Sequence, residues 1–343
     1  MKAALLKAPG NLSLEEVATP PCPEGGLLVR VRACSICSSD ARMFYKGHPA
    51  LIYPRILGHE TSGEVFESRT PRFKPGDRVQ IFPGICCGRC PACRRGDDNH
   101  CRDIAIMGFS RDGAFAEYIA VPPQSVAGGG VNLMPDGLSH EEAALAEPLA
   151  SCLNGQELAR VSQGDSLLII GAGPIGLLHA RLAVAKGASK VMAAETMPSR
   201  LAASRSDGID RVINATTEDI AAIVREETDG RGVDVILLAS SEAAVSSLLR
   251  LLAPQGRLCL FSGLPKEGAM VFFNANLIHY RELTIVGAYG STARQNTEAL
   301  NLIASDRVPV SDLITKKMPL EEITEGLEYV AGRHGLKAVI IFA

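Results

Sequence analysis

The sequence predicts a two-domain α/β chain, an all-β, barrel-like part joined to a doubly wound parallel sheet. Three observations carry this reading. Up to Val121 the chain breaks into short β-like runs, with Gly and Pro between them at short intervals. From Ser166 onward strand and helix patterns alternate, as a parallel sheet of βαβ units requires. Between the two, residues 141–158 are rich in Ala and Leu and read as a helix broken at Pro148.

The totals agree with two ordinary globular domains. A chain of 343 residues can bury two cores, and 46% apolar with 21% charged residues is not a disordered composition. The net charge of −3, with both signs abundant, lacks the basic balance of a nucleic-acid partner. The apolar run after Met1-Lys2 is too short for a signal peptide, and no stretch reaches the ~18–20 apolar residues that cross a bilayer. The expectation is a cytoplasmic protein with neither membrane nor nucleic acid among its partners.

Taken in order, Pro20, Pro21, Pro23, Gly25 and Gly26 form a turn-rich lead-in to a strand at 27–31. Further β-like runs fall at 63–66, 78–82 and 114–121. In the second half, strands are expected at 166–170, 190–194, 211–213, 233–239, 257–261 and 283–286, with helices between most of them. The tail returns to short mixed elements, ends in the apolar run 338–342 and is expected to rejoin the first domain. The predicted domains are therefore 1–147 with 287–343, and 148–286.

Gly171-Ala172-Gly173-Pro174-Ile175-Gly176 is a G-x-G-x-x-G between a predicted strand and an amphipathic run. Glycines there permit the tight turn and let the backbone approach a pyrophosphate at the helix N-terminus. The next strand ends at Glu195, where a carboxylate binds a ribose 2′-hydroxyl and repels a 2′-phosphate, which favours NAD over NADP. Arg200 lies close by and is suited either to stack on an adenine or to meet a phosphate.

Cys87-x2-Cys90-x2-Cys93-x7-Cys101 places four thiolates in one lobe, about 84–103, enough to close a tetrahedral structural zinc site. Cys86 is a bystander to that even spacing. An iron–sulfur cluster and a nucleic-acid-binding zinc ribbon are the alternatives, but Asp97, Asp98 and Asp103 offset Arg89, Arg94 and Arg95. Cys37, then His59-Glu60 after Gly58, then Glu147 add a soft ligand, an imidazole and two carboxylates, a mixture that zinc accepts.

With these motifs in this order, essentially the whole chain resembles a zinc-dependent medium-chain dehydrogenase/reductase of the sorbitol (polyol) dehydrogenase branch. The resemblance implies a GroES-like catalytic domain, a Rossmann domain and two zinc ions per chain. It implies that Cys37, His59, Glu60 and Glu147 form the catalytic zinc sphere, with Glu60 and Glu147 taking turns beside water or substrate. Ser39 becomes the first proton acceptor, and Asp40 the partner that orients His59. By the same resemblance Ser262, Gly263 and Leu264, and Ala288 and Tyr289, line the nicotinamide, beyond the carboxyl ends of two strands.

The implied reaction is NAD-dependent oxidation of a secondary alcohol of a polyol, sugar alcohol or cyclitol, by a homodimer or homotetramer. Phosphorylated polyols and L-threonine are alternative substrates, and a non-catalytic protein that keeps the fold is the alternative of another class. One departure stands out: Arg42 occupies the place where many relatives carry a relay histidine. Arginine stays protonated and is a poor relay base, so it is suited instead to a substrate phosphate or carboxylate, or to a surface role.

Overall fold

The computed structural model describes residues 1–204, 208–241, 245–264 and 269–343. It divides into two compact units, Met1–Ala150 with Ser291–Ala343, and Ser151–Gly290. Both divisions lie a few residues beyond those expected from sequence. The first falls inside the helix Ala146–Leu158, which crosses from one unit to the other. That helix also corrects the expected break at Pro148. The interruption is at Leu145, after a short helix His140–Ala144, and Pro148 sits in the first turn of the next helix. Backbone N–H groups of a first turn have no intrahelical acceptor, so proline is tolerated there.

The first unit is built on a seven-stranded sheet. Its order runs Val131–Leu133, Arg78–Ile81, Glu60–Ser68, Leu27–Ser35, Lys337–Ile341, Ile314–Met318, with Tyr118–Val121 also paired to Leu27–Ser35. The strand Leu27–Ser35 is buried almost throughout, because both of its faces are covered. Leu27, Val29, Val31, Leu57, Ile81, Phe115 and Ile340 share one core with Ile36 and Met43. The C-terminal strand rejoins this unit by pairing antiparallel with Leu27–Ser35, Val339 opposite Ser35. Glu60 lies opposite Ser35 from the other neighbouring strand. The chain's first third and its last residues therefore meet around the end of one buried strand.

The second unit is a six-stranded, all-parallel sheet. Its order is Arg211–Asn214, Lys190–Glu195, Ser166–Ile170, Val233–Leu238, Leu252–Leu260, Thr284–Gly287. The chain starts at the centre, works outward to one edge, then crosses back and fills the other side. This is the doubly wound order, with its switch point between the first and fourth strands. Ser166–Ile170 and Val233–Leu238 are buried at every position, as central strands of a parallel sheet are. The fifth strand starts earlier than its sequence suggests. Ala253-Pro254-Gln255-Gly256 carries turn residues, yet Leu252 pairs with Val233 and Arg257 with Val235 across a bulge, with Gln255 at φ +61°. Among the described residues, no helix is long and apolar enough to cross a membrane.

Candidate functional site

The strand Leu27–Ser35 delivers Cys37 to the N-cap of the helix Ser38–Lys46. Gly58 delivers His59 and Glu60 to the start of the neighbouring strand. Gly58 takes φ +91°, and a Cβ there would lie 2.7 Å from Phe115 Cδ1 and 2.9 Å from Cys34 Sγ. Only glycine meets both demands. One ligand atom each from Cys37, His59 and Glu60 lies within 4.8 Å of the others.

Asp40 ties the two segments together. It is fully buried; Oδ2 accepts from Cys37 N–H at 2.9 Å and Oδ1 from Gly58 N–H at 3.3 Å. Oδ1 also lies 3.2 Å from His59 Nδ1, though not aligned for a hydrogen bond. Burial works against an imidazolium at His59, but Asp40 and Cys37 outweigh it and raise the ring well above its usual range. Phe109 packs edge-on to the His59 ring, with centroids 5.2 Å apart. Ser39 is half-buried in the first turn of the same helix as Asp40.

Glu147 stands in the first turn of Ala146–Leu158, half-buried and outside the tight three-residue cluster. Burial pushes its carboxyl up to about 7, with Glu60 and Asp40 adding to that and His59 and Lys337 opposing it. Sequence reasoning missed Lys337, which is buried and bonded to Glu60 at 2.5 Å. A lone lysine before an apolar run gives no signal that it reaches a partner hundreds of residues earlier. Sulfur, imidazole and carboxylate thus converge, with Asp40 and Glu60 buried and Lys337 beside them. That donor set fits a divalent cation of zinc's preferences.

Cys87, Cys90, Cys93 and Cys101 form a second cluster with their sulfurs within 4.8 Å of one another. The short helix Pro91–Arg95 starts from Cys90 and ends at Gly96, which sets Cys93 back toward Cys90 at 3.5 Å. Cys87 N–H donates to Cys101 Sγ at 3.3 Å. Backbone N–H groups of Cys93 and Arg102 lower the Cys90 thiol to about 6. Cys86 points elsewhere, to the Asp98 carbonyl at 3.3 Å, and burial pushes its thiol up to about 12. Four thiols gathered in one short lobe suit a structural metal.

In the second unit Gly171 follows the strand Ser166–Ile170, and Gly173 caps the helix Pro174–Ala185 with Pro174 at its first position. A Cβ on Gly176 would fall 1.9 Å from the Gly171 carbonyl oxygen, so helix and loop touch only because that Cβ is absent. Ile175 lies in the first turn of this helix. Glu195 ends the second strand, buried; Oε2 accepts from Ala172 N–H at 2.9 Å, and Oε1 from Thr196 and Met197 N–H at 2.6 and 3.0 Å. The Arg200 guanidinium lies over the loop, where a Cβ on Gly173 would come 2.9 Å from Nη1. Ser262, Gly263 and Leu264 follow the fifth strand, and Ala288 and Tyr289 the sixth. All these residues stand at the carboxyl ends of parallel strands, where ligands of such sheets bind.

Residues 23–129 match the family described as Alcohol dehydrogenase GroES-like domain. Residues 174–305 match the family described as Zinc-binding dehydrogenase. Sorbitol dehydrogenase of Bacillus subtilis is 32% identical, covering 96% of this chain and 93% of its own. L-threonine 3-dehydrogenase of Pyrococcus horikoshii is 36% identical, covering 98% and 97%. The crystal structure of a protein from Sinorhizobium meliloti, described as a zinc-binding dehydrogenase and bound to NADP, superposes with a TM-score of 0.91 at 30% identity, covering 99% of each chain. A GroES-like unit with a cysteine–histidine–glutamate cluster, and a parallel-sheet unit with a glycine-rich loop, have the same explanation as these likenesses: the chain belongs to the zinc-dependent medium-chain dehydrogenases, alcohol oxidoreductases that work with zinc and a nicotinamide cofactor, in their sorbitol-dehydrogenase-like branch.

Proposed function

We propose that this chain oxidises a secondary alcohol of a polyol, sugar alcohol or cyclitol to the ketone, with NAD as hydride acceptor and two zinc ions per chain. The observation that carries the reading is the buried cluster of Cys37, His59 and Glu60, with Glu147 beside it. Zinc held there would supply a Lewis acid that lowers the pKa of a substrate hydroxyl, and NAD would take the hydride. Cys37, His59, Glu60 and Glu147 provide the metal's protein ligands, Asp40 fixes the first two segments, and Ser39 takes the hydroxyl proton. Cys87, Cys90, Cys93 and Cys101 hold the second, structural ion.

Glu195 supports NAD, because a buried carboxylate at this strand end repels a 2′-phosphate. Gly171, Gly173, Pro174, Ile175 and Gly176 cradle the pyrophosphate. Ser262, Gly263, Leu264, Ala288 and Tyr289 line the nicotinamide. One observation favours a second reading. The Arg200 guanidinium against Gly173 is suited to a phosphate, and a relative of the same fold binds NADP.

The test is reduction of NAD and of NADP across a panel of polyols, cyclitols, their phosphates and threonine, repeated after chelation. A chelator-sensitive rate on a free polyol or cyclitol, with kcat/KM higher for NAD, is the expected result. Activity only on phosphorylated compounds would overturn the substrate class and turn attention to Arg42. That residue is exposed on Ser38–Lys46 and pairs with no group among the described residues. Metal analysis belongs to the same experiment: two zincs per chain are expected, and one would leave only the four-cysteine lobe occupied.

A further inference from the structure

Two successive residues near the end of the helix Ala146–Leu158 touch the segments that follow the fifth and sixth strands of the parallel sheet. Asn154 is 7% exposed, and its Nδ2 donates to the Gly290 carbonyl at 2.9 Å and to the Tyr289 carbonyl at 3.4 Å. Those carbonyls stand just past the sixth strand, Thr284–Gly287. Gly155 meets the segment past the fifth. A Cβ there would fall 2.9 Å from Phe261 Cδ2 and 3.4 Å from His179 Cε1. Phe261 sits between the strand Leu252–Leu260 and Ser262. Its ring packs edge-on to that of buried His179, with centroids 4.7 Å apart. A side chain at 155 would therefore press on two packed groups at once.

Both contacts act where the parallel ladder ends. Its last pair on this side is Leu260 with Gly287. Just beyond, Ser262 N–H donates to the Leu238 carbonyl at 3.0 Å and Ala288 N–H to the Leu260 carbonyl at 3.1 Å. Past Ala288 a side chain takes over, one amide holding two successive carbonyls. We infer that Asn154 and Gly155 are positioning residues for the nicotinamide end of the cofactor site. Asn154 pins the Tyr289 and Gly290 carbonyls, Gly155 admits the Phe261 ring, and together they set segments 262–264 and 288–289. The inference rests on the reading above that these segments line the nicotinamide. By that reading the rest of the dinucleotide lies on other elements, the glycine-rich loop and Glu195, so its two halves can be probed separately.

The measurement is cofactor binding to the purified full chain, followed by NADH fluorescence, with ADP-ribose as competitor. ADP-ribose lacks the nicotinamide, and neither titration needs turnover. Should wild type prefer NADPH, the matched competitor is 2′-phospho-ADP-ribose. Asn154→Leu fills similar space without a donor and leaves two carbonyls unpaired. The Kd for NADH should rise by ~10-fold, toward that of ADP-ribose, while the Kd for ADP-ribose stays unchanged. Asn154→Ser keeps a hydroxyl donor and should lose less. Gly155→Ala should weaken NADH in the same selective way, by displacing Phe261 from the other segment.

Equal loss of NADH and ADP-ribose binding in Asn154→Leu would overturn the inference, because the residue would then support the unit as a whole. Unchanged NADH binding would overturn it as well. Where Asn154→Leu does not fold, Asn154→Ser and Gly155→Ala decide the matter by the same comparison. A wild-type chain that binds ADP-ribose as tightly as NADH would instead overturn the reading that these segments line a nicotinamide, and the inference with it.

Discussion

At the scale of single residues, Asp40 carries more than its position in a turn suggests. It accepts N–H bonds from both ligand-bearing segments and lies beside the His59 ring. Asp40→Asn keeps the shape but turns an amide N–H₂ toward a backbone donor, so one bond becomes a repulsion. Metal affinity at the Cys37–His59–Glu60 site should fall by ~10–100-fold, measured as zinc retained in equilibrium with a buffered chelator. Ser39→Ala tests the neighbouring role and should behave differently. Turnover should drop by on the order of 100-fold, as loss of a positioned proton acceptor does, while zinc content stays unchanged. Equal zinc loss in both variants would mean that the turn is merely structural. Gly58-His59-Glu60 stood out in the sequence through its imidazole and carboxylate taken with Cys37 and Glu147; the positive φ and crowded Cα that require Gly58 appear only in the structure. Lys337 was not legible, because its partner Glu60 lies 277 residues earlier in the chain.

At the scale of elements, the six parallel strands were readable as apolar runs between helices, and the four-cysteine lobe by spacing alone. The misplaced helix break and the early start of the fifth strand have one cause: proline and glycine marked turns where neighbouring strands and a helix's first turn accommodate them. The helix Pro174–Ala185 also holds a liability that its apolar pattern hides. His179 is fully buried with neither ring nitrogen hydrogen-bonded among the described residues, edge-on to Phe261 at 4.7 Å. Burial, with Lys186 adding to it, pushes the ring down to about 3. An unfolded histidine titrates near ~6.5. Above that pH both states are neutral and nothing is lost. Below it the unfolded chain takes up a proton that the folded chain refuses until about 3, so stability declines across that window. The loss is about 2 kcal/mol by pH 5. His179→Leu should therefore lose less Tm than wild type between pH 7.5 and 5. His140, lowered to about 4 by burial and Arg78, leaves a residual slope. Parallel melting curves in the two proteins would show that His179 is hydrated or otherwise charged in the fold.

At the scale of the whole molecule, the parallel sheet has two open edges, and the chain treats them differently. Arg211–Asn214 forms one edge and carries a charge there, Arg211 paired to Glu218 at 2.5 Å. Charge on an edge strand discourages further pairing. Thr284–Gly287 forms the other edge. On either side of that strand in the sequence the chain exposes large side chains: Met270 at 82%, Phe272 at 87%, Tyr280 at 78% and Tyr289 at 69%. An open edge flanked by aromatics invites a second copy in two-fold, strand-to-strand pairing, since the same surface then serves both partners. A dimer, or a tetramer containing that dimer, is the expected form in solution. Light scattering on the purified chain checks it, and Phe272→Glu combined with Tyr280→Glu should reduce the mass, because four like charges would face each other across the two-fold axis. Both side chains are exposed, so the subunit itself should fold and keep its metal. A monomeric wild type would end the proposal. A variant of unchanged mass would move the contact elsewhere and leave the exposed aromatics of 270–289 without this explanation.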